Sequence, residues 1–232
     1  MRFLLLVITT VFLFQPLEAE GAGDAKKPEV TDTAASDYWP EEIPDYSEAV
    51  CREEDAMFES AEQYIEYLMG RPILGETAVM DADRLFRFVS RHNPDFDISI
   101  ARAYITVGQR YGIPGDIALC QGIVETGWFR FTGGTKVTPE QHNYCGLGVV
   151  RLGERGHSFA SVEEGVTAQI QHLYAYACKN PLPQGERLVD PRFRLVSRGI
   201  APTWADLAGR WAANNRYARS ILKLYVELKK FE

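Results

Sequence analysis

The 232-residue sequence lacks the residue groupings that several large classes of protein require. Its four cysteines are widely spaced with no Cys-x-x-Cys pair, and His142 has no second histidine at a ligand spacing, so we expect no metal site. The chain has no nucleophile elbow of the kind found in serine hydrolases. It also has no Lys/Arg cluster interleaved with aromatic residues, which argues against a nucleic-acid partner. No internal repeat occurs, and no cofactor is implied.

Long apolar runs are also scarce, with one exception at the start of the chain. Arg2 is followed by an apolar stretch over residues 3–14 and then by Ala19, a pattern typical of a secretory signal peptide and too short for a comfortable membrane span. No cysteine follows the expected cleavage point, so a lipid-anchored N-terminus is not indicated. We expect residues 1–19 to be a signal peptide and the mature chain, without a transmembrane segment, to be exported to the periplasm, the cell wall or the medium.

Charge is unevenly distributed along the chain. Residues 20–66 contain fifteen acidic and three basic side chains, whereas residues 67–232 carry a net charge of +5. The segment 20–46 is rich in Ala, Asp, Glu, Pro and Thr without a sustained apolar period, which predicts an acidic flexible leader. The mildly basic remainder suits an anionic polymer as partner.

The cysteines allow two interpretations. Cys51, Cys120, Cys145 and Cys178 in an exported chain permit up to two disulfides, with three complete pairings. Buried thiols that behave as small apolar residues are equally compatible with the sequence. The spacing alone does not decide between them.

Apolar residues at three-to-four spacing predict a largely helical domain over residues 47–232. Helices are expected over about 48–69 and 83–92, after the cap residue Asp97, from the cap residue Asp116, after the capping box Ser161-x-x-Glu164, after Thr203, and over about 217–229. Glycine becomes frequent after Phe131, and residues 149–156 predict a small hairpin. The expected fold is mainly α (α+β), with one small Gly-rich β lobe.

Glu125 is the most informative residue of the chain. It lies at the end of an otherwise apolar helix and is followed at once by Gly127, Trp128 and Phe129. Burial and the partial negative charge of a helix C-terminus both disfavour an ionised carboxyl, so its pKa should rise. A carboxyl protonated near neutral pH beside aromatic surface is what a glycosidase needs as its general acid. The alternative is a glutamate on a solvated helix face.

A catalytic glutamate that ends a helix just before a small β insertion is the layout of the lysozyme-like fold. The run Ala-Leu-Cys-Gln-Gly-Ile-Val-Glu-Thr-Gly-Trp-Phe at residues 118–129 is followed by residues 141–148, 158–166 and 169–176, and then by Trp211 and Tyr217-Ala218. In this order they resemble the bacterial glucosaminidase family of peptidoglycan hydrolases, glycoside hydrolase family 73, over roughly residues 81–229. The resemblance implies a lysozyme-like core from about residue 81 and hydrolysis of the β-1,4 bond after N-acetylglucosamine in peptidoglycan glycan strands.

The resemblance also assigns roles to individual residues. Glu125 matches the catalytic acid of the family, and Asn143 and Tyr144 lie in the segment that lines the floor of the cleft. Cys145 departs from the family, which often has an aromatic residue at that position. Tyr217 matches the tyrosine of the family's Tyr-Ala motif, which the resemblance implies faces the reacting sugar, so Tyr217 is a predicted catalytic residue; the alternative is an ordinary core tyrosine at the start of a helix.

The second catalytic group is left open by the sequence. Glycosidases commonly use two carboxylates, and the predicted lobe offers Glu140 and Glu154. We favour Glu154 because a flexible hairpin tip can fold over a bound sugar, although a solvated turn residue beside Arg155 is an equally good explanation. A third route uses the 2-acetamido group of the substrate as nucleophile, oriented by Tyr217 or Asn143.

Aromatic residues near Glu125 are candidate stacking surfaces for sugar rings, although aromatic residues at such positions are as often part of the core. The predicted substrate-binding residues are Trp128, Phe129, Phe131, Gln141, Asn143 and Tyr144. Three other functions fit the same fold: a muramidase or lytic transglycosylase, a peptidoglycan-binding module without catalysis, and an endoglycosidase that acts on protein-linked glycans.

Overall fold

The computed structural model describes residues 58–132, 136–150 and 153–231. The predicted signal peptide, the acidic leader and Cys51 lie outside these ranges, so these expectations stay predictions. The helix expected over 48–69 lies outside them up to residue 57 and is corrected after that: residues 58–60 are not helical, and the helix begins at Ala61 because Ser60 is an extended cap that accepts a hydrogen bond from the N–H of Gln63. Within the described ranges, no helix combines the length and the apolarity needed to cross a bilayer.

The described chain is built mainly from helices, which confirms the mainly α, lysozyme-like fold class. Its six α-helices and two short 3-10 helices are α1 (Ala61–Gly70), α2 (Ala82–Ser90), α3 (Ile98–Tyr111), α4 (Gly115–Thr126), the 3-10 helix Pro139–Gln141, α5 (Val162–Ala177), the 3-10 helix Ala205–Leu207 and α6 (Tyr217–Lys230).

Side-chain caps explain where several of these helices begin. Asp97 accepts a hydrogen bond from the backbone N–H of Ser99 at the start of α3, and Ser161 accepts one from Glu164 at the start of α5, as their sequence patterns predict. Asp116 is not a cap, since α4 begins one residue earlier. Its buried carboxyl accepts the N–H groups of Val79 and Ile117, at 2.9 and 2.8 Å, and so ties the segment before α2 to α4.

Two buried helices form the centre of the domain. Every residue of α5 from Gly165 onwards is buried, and in α4 the residues that keep partial exposure are Val124 and Glu125. Helix α3 packs against both, and α6 packs against α4. The α3–α4 approach is close enough that a Cβ on Gly115 would overlap the backbone of Tyr104. The centre is therefore tightly packed. Glu125 lies near the C-terminal end of α4, where this buried helix reaches the surface.

The Gly-rich segment between α4 and α5 differs from its predicted β structure. Its described residues form turns and the 3-10 helix Pro139–Gln141, with no strand among them; residues 151–152 of the expected hairpin lie outside the described ranges. The amide of Gln141 donates to the carbonyl of Arg155, and the amide of Asn143 donates to the carbonyls of Leu147 and His157. Because side-chain amides bind these carbonyls, the segment holds its shape without a β ladder.

The α-helix that the sequence predicts after Thr203 does not form, so this prediction is wrong. The chain forms the single 3-10 turn Ala205–Leu207 there, and Asp206 accepts hydrogen bonds from the backbone and the hydroxyl of Thr203. Gly209, at a φ of 76°, then turns the chain out of any helical path. The result is a tight loop that places Trp211 beside α4.

Candidate active site

The backbone just after Glu125 leaves the helix direction abruptly. Helix α4 ends at Thr126, and Gly127 adopts the left-handed conformation at a φ of 63°. Trp128 and Phe129 keep positive φ values of 63° and 56°. Because the chain turns away at once, no further helical turn covers the side chain of Glu125.

Two side chains from the C-terminal part of the chain donate hydrogen bonds to the same oxygen of Glu125. The indole Nε1 of Trp211 lies 2.8 Å from Oε1, and the hydroxyl of Tyr217 donates to Oε1 as well. The described residues make no hydrogen bond to Oε2. Oε1 is thereby held as an acceptor, and Oε2 is the oxygen that can carry a proton toward a substrate.

Desolvation dominates the ionisation of Glu125. Burial raises the pKa of its carboxyl from 4.5 to about 7, while the hydrogen bonds from Tyr217 and Trp211 act in the opposite direction. The residue nevertheless keeps partial exposure. A carboxyl that is desolvated on one side, reachable on the other and half protonated near pH 7 has the properties of a general acid. The rise in pKa that the sequence predicts is confirmed in direction.

Tyr217 is held by further polar side chains inside the core. Its ring is 1% exposed, and its hydroxyl accepts a hydrogen bond of 2.9 Å from the amide of Gln121. Gln121 in turn accepts a hydrogen bond of 2.8 Å from the amide of Gln169, a buried residue of α5. Tyr217 therefore contacts the Glu125 carboxyl from within the core.

Trp211 is oriented by a second buried group. The ring of His172 meets the indole edge-on, with centroids 4.9 Å apart, and Tyr176 packs beside both. His172 Nδ1 lies 2.7 Å from a carboxylate oxygen of Asp190, and both residues are buried. This packing fixes the indole so that its N–H meets Glu125.

Two of the predicted sugar-stacking residues keep exposed surface. Trp128 is partly exposed, and its ring stacks on His92 with a centroid separation of 3.7 Å. Phe131 is also partly exposed and lies at the edge of the Gly-rich segment, 6.4 Å from the ring of Tyr144. Trp128 and Phe131 follow Glu125 by three and six residues in the chain, and both keep ring surface that solvent can reach.

The other two predicted stacking residues are core residues. Phe129 is 4% exposed and packs between Phe96 and Tyr144, with centroid separations of 4.9 and 5.8 Å. Tyr144 is 2% exposed. Neither offers a ring face to a sugar in this structure, because hydrophobic burial has placed both rings against α3.

Gln141 and Asn143 act as braces of the Gly-rich segment. Both are buried. The side-chain oxygen of Gln141 accepts a hydrogen bond from the backbone N–H of Thr138, and the side-chain oxygen of Asn143 accepts one from the backbone N–H of Leu147, each at 2.9 Å. Since their amides also bind backbone carbonyls, these side chains shape the segment beside the site rather than present polar groups at its surface.

Glu154 is partly exposed in the Gly-rich segment. Its carboxylate accepts a hydrogen bond of 2.9 Å from the N–H of Val150, and its carbonyl accepts one from Lys136. These bonds hold Glu154 within its own turn. Its part in the reaction stays a proposal, as does that of the exposed Glu140.

The described cysteines, Cys120, Cys145 and Cys178, are free thiols. Cys145 lies near Glu125; burial raises the pKa of its thiol well above the usual value, and the carboxyls of Glu125 and Asp190 add to the rise. It packs where the resembled family often has an aromatic ring. In the described ranges, no group of three or more His, Cys, Asp and Glu side chains is arranged to hold a metal ion.

The sequence alone assigned no role to several residues that surround Glu125. Trp211 contributed to the resemblance but not to the predicted site, and Gln121, Gln169, His172 and Asp190 were not singled out. One signal was available: Gln121 lies four residues before Glu125, on the same face of an otherwise apolar helix. A polar side chain in that position needs a buried partner.

A mainly helical, lysozyme-like domain with a desolvated, reachable glutamic acid at the end of a buried helix defines a glycoside hydrolase. The chain belongs to the glucosaminidase family, and this membership supports a glucosaminidase that degrades peptidoglycan. The family's model, described as mannosyl-glycoprotein endo-beta-N-acetylglucosaminidase, matches residues 101–230, which include every side chain that surrounds Glu125.

A relative extends the similarity beyond this segment. An uncharacterized protein of Borreliella burgdorferi is 38% identical over 174 residues, which cover 73% of this chain and 80% of that protein. No solved structure matches the chain.

Proposed function

We propose that this protein is an exported endo-β-N-acetylglucosaminidase that hydrolyses the β-1,4 bond after N-acetylglucosamine in peptidoglycan glycan strands. The observation that carries the proposal is the Glu125 carboxyl, which has a pKa of about 7 and two hydrogen-bond donors on a single oxygen. The mildly basic charge of residues 67–232 supports an anionic polymer as substrate.

In the proposed reaction, Oε2 of Glu125 gives its proton to the glycosidic oxygen as the bond from that oxygen to the anomeric carbon breaks. The carboxylate that results is stabilised by the hydrogen bonds from Tyr217 and Trp211, which strengthen as negative charge develops on Oε1. Glu125 then removes a proton from the water that attacks the anomeric carbon and returns to its protonated form.

The second group in this proposal is Glu154, whose carboxylate bonds to the anomeric carbon as the glycosidic oxygen leaves and is displaced when the water attacks. The alternative nucleophile is the 2-acetamido group of the substrate, which would form and then lose the same bond. The partial exposure of Glu154 and its place in a turn of the Gly-rich segment that follows α4 support the first choice. A Glu154→Gln variant separates the two routes. Loss of activity supports a second carboxylate, and full activity assigns the step to the acetamido group.

Sugar binding in this proposal falls to Trp128 and Phe131, which are partly exposed and follow Glu125 by three and six residues in the chain. Apolar ring faces of this kind match the C–H faces of pyranose rings. The buried Gln141, Asn143 and Tyr144 support these residues by fixing the shape of the Gly-rich segment.

The test is hydrolysis of purified peptidoglycan by the chain without residues 1–19, with mass spectrometry of the released fragments. We expect fragments with N-acetylglucosamine at the reducing end. Glu125→Gln should lower the rate about a hundredfold or more, because it removes the general acid. Glu163→Gln is the matched control, since this exposed glutamate of α5 pairs with Arg110 and should leave activity unchanged.

Other products would redirect the assignment. Reducing-end N-acetylmuramic acid would indicate a muramidase, and 1,6-anhydro-muramic ends would indicate a lytic transglycosylase. Binding to cell-wall sacculi without any released ends would indicate a binding module. Export is tested separately by fusing residues 1–19 to a reporter enzyme that is active only outside the cytoplasm; a silent fusion would contradict the signal peptide.

A further inference from the structure

A continuous chain of side-chain hydrogen bonds runs through the core from α3 to α5, from α5 to α4, from α4 to Tyr217 of α6, and from there to Glu125. We propose that Gln121 and Gln169 are positioning residues that fix the Tyr217 hydroxyl as a donor to Oε1 of Glu125 and so leave the transferable proton on Oε2. This inference rests on the proposed role of Glu125 as the acid.

The chain consists of short bonds between groups removed from water. The hydroxyl of Tyr104 donates to the Gln169 carbonyl at 2.6 Å, and the Gln169 amide donates to the Gln121 carbonyl at 2.8 Å. The Gln121 amide then donates to the Tyr217 oxygen at 2.9 Å, and the Tyr217 hydroxyl donates to Glu125. Both glutamines and Tyr104 have no exposed surface. In such surroundings every broken bond leaves an unpaired polar group, so the arrangement resists change.

The direction of the chain is anchored by a backbone carbonyl. Gln169 Nε2 also donates to the carbonyl oxygen of Ala118 at 3.1 Å, and a carbonyl can only accept. The nitrogen end of the Gln169 amide must therefore face α4. That end meets the oxygen of Gln121, so the Gln121 amide must present its nitrogen to Tyr217.

This fixed polarity determines what Tyr217 does. Because Gln121 donates to the Tyr217 oxygen, the hydroxyl hydrogen must point elsewhere, and the acceptor that the structure places there is Oε1 of Glu125. Trp211 donates to the same oxygen and, lacking any acceptor atom, cannot reverse its role. A proton on Oε1 would face two donors, so the acidic proton belongs on Oε2.

The packing of α4 leaves space for the first bond of the chain, from the Tyr104 hydroxyl to Gln169. A Cβ on Gly122 would lie 2.5 Å from the hydroxyl oxygen of Tyr104 and 2.9 Å from the ring of Phe129. Glycine inside a helix is less favourable than alanine, so its place here needs a packing reason. Its presence one turn before Glu125 gives the Tyr104 hydroxyl room to reach Gln169.

The other ionisable groups near Glu125 come from three sides. Tyr217 comes from α6, Tyr104 from α3 and Cys145 from the Gly-rich segment, and burial raises the pKa of each well above its usual value, so all three are neutral at pH 7. His172 is paired with Asp190, and its ring contacts the indole of Trp211, which donates to Glu125.

The experiment follows the indole N–H signal of Trp211 by NMR in the substrate-free protein as pH changes. The chain has four tryptophans, and a Trp211→Phe variant identifies the signal. In the unmodified protein we expect a titration midpoint near 7. In Gln169→Met and Gln121→Met, the orientation of the Tyr217 hydroxyl toward Oε1 is no longer fixed, and the midpoint should rise by about half a unit or more because the carboxylate loses a donor. Their kcat should fall about tenfold with KM little changed.

Tyr111→Phe is the matched control. It removes a buried hydroxyl from another Gln–Tyr bond between α3 and α5, the bond of 2.7 Å from Gln171, and should leave the midpoint unchanged. Unshifted midpoints in both glutamine variants would overturn the proposal, as would an equal shift in Tyr111→Phe. If the midpoints shift while Glu125→Gln keeps full hydrolytic activity, the positioning chain stands and the proposed catalytic role of Glu125 fails.

Discussion

The indole nitrogen of Trp211 lies 2.8 Å from Oε1 of Glu125, although 86 residues separate them in the chain. The bond connects the end of a buried helix to a tight loop before α6. It brings a rigid donor to a carboxyl that burial otherwise makes hard to ionise. Glu125 can therefore release and recover a proton near neutral pH.

Trp211→Phe should lower kcat and shift the alkaline limb of the pH–rate profile to higher pH. The hydrogen bond from Trp211 lowers the pKa of Glu125, so its loss raises that pKa. We expect a loss of about tenfold in kcat at pH 7. The measurement is kcat/KM and kcat across the pH range.

Trp204→Phe is the control for that experiment. Trp204 is 1% exposed, and its indole nitrogen is buried without a hydrogen-bond partner among the described residues. Its replacement should reduce stability through lost packing and leave the alkaline limb in place. A limb that moves equally in both variants would contradict the role of the Trp211 hydrogen bond.

Glu125→Gln should make the protein more stable at pH 8 but not at low pH. The pKa of Glu125 is raised from 4.5 to about 7 in the folded state, so the folded state binds the proton more tightly than the unfolded state. The stability that this gives is fully present below pH 4.5 and is lost as pH rises through about 7. Allowing for its partial exposure, the glutamine variant should gain about 2 kcal/mol at high pH.

Urea unfolding of both proteins across the pH range measures this difference. Asp116, whose pKa burial raises to about 6, is present in both chains and cancels in the comparison. Glu163→Gln provides the baseline for loss of an exposed charge. A gain that is independent of pH would show that Glu125 is not desolvated.

Gly122→Ala should destabilise the domain, although alanine favours helices. The new methyl would press on the Tyr104 hydroxyl and the Phe129 ring, and such overpacking typically costs about 1–3 kcal/mol. Gly70→Ala, in α1, is the control because nothing lies within 4 Å of its Cβ position. That change should be neutral or stabilise by up to about 1 kcal/mol, as thermal melts of the two variants would show.

Trp128→Ala and Phe129→Ala should separate substrate binding from folding. The partly exposed Trp128 should affect KM, with a rise of about tenfold expected if its ring stacks on a sugar. The buried Phe129 should instead affect stability, by about 3–5 kcal/mol. Steady-state kinetics and melting curves of both variants provide the measurements. An unchanged KM for Trp128→Ala would remove that ring from the binding surface.

The parts of the fold that the sequence predicted depend on neighbours in the chain. The caps at Asp97 and Ser161 bind backbone groups two or three residues away, and the end of α4 follows from Gly127. Asp116 could not be assigned in this way, because its partners Val79 and Met80 lie more than thirty residues earlier. The described residues of the predicted hairpin, 149–150 and 153–156, form no strand for a similar reason: side-chain amides from earlier in the segment bind the carbonyls of Arg155 and, just after the hairpin, of His157.

For the site, the sequence by itself determined that a single carboxyl ends an otherwise apolar helix; it predicted a raised pKa for that carboxyl and left a solvated helix face as the alternative. Only the tertiary structure decided which side chains surround that carboxyl. Trp211, Tyr217 and Gln169 reach it or its partners across 86, 92 and, from Gln121, 48 residues of chain. Such contacts depend on how whole helices pack, and neither spacing nor composition along the chain encodes them directly.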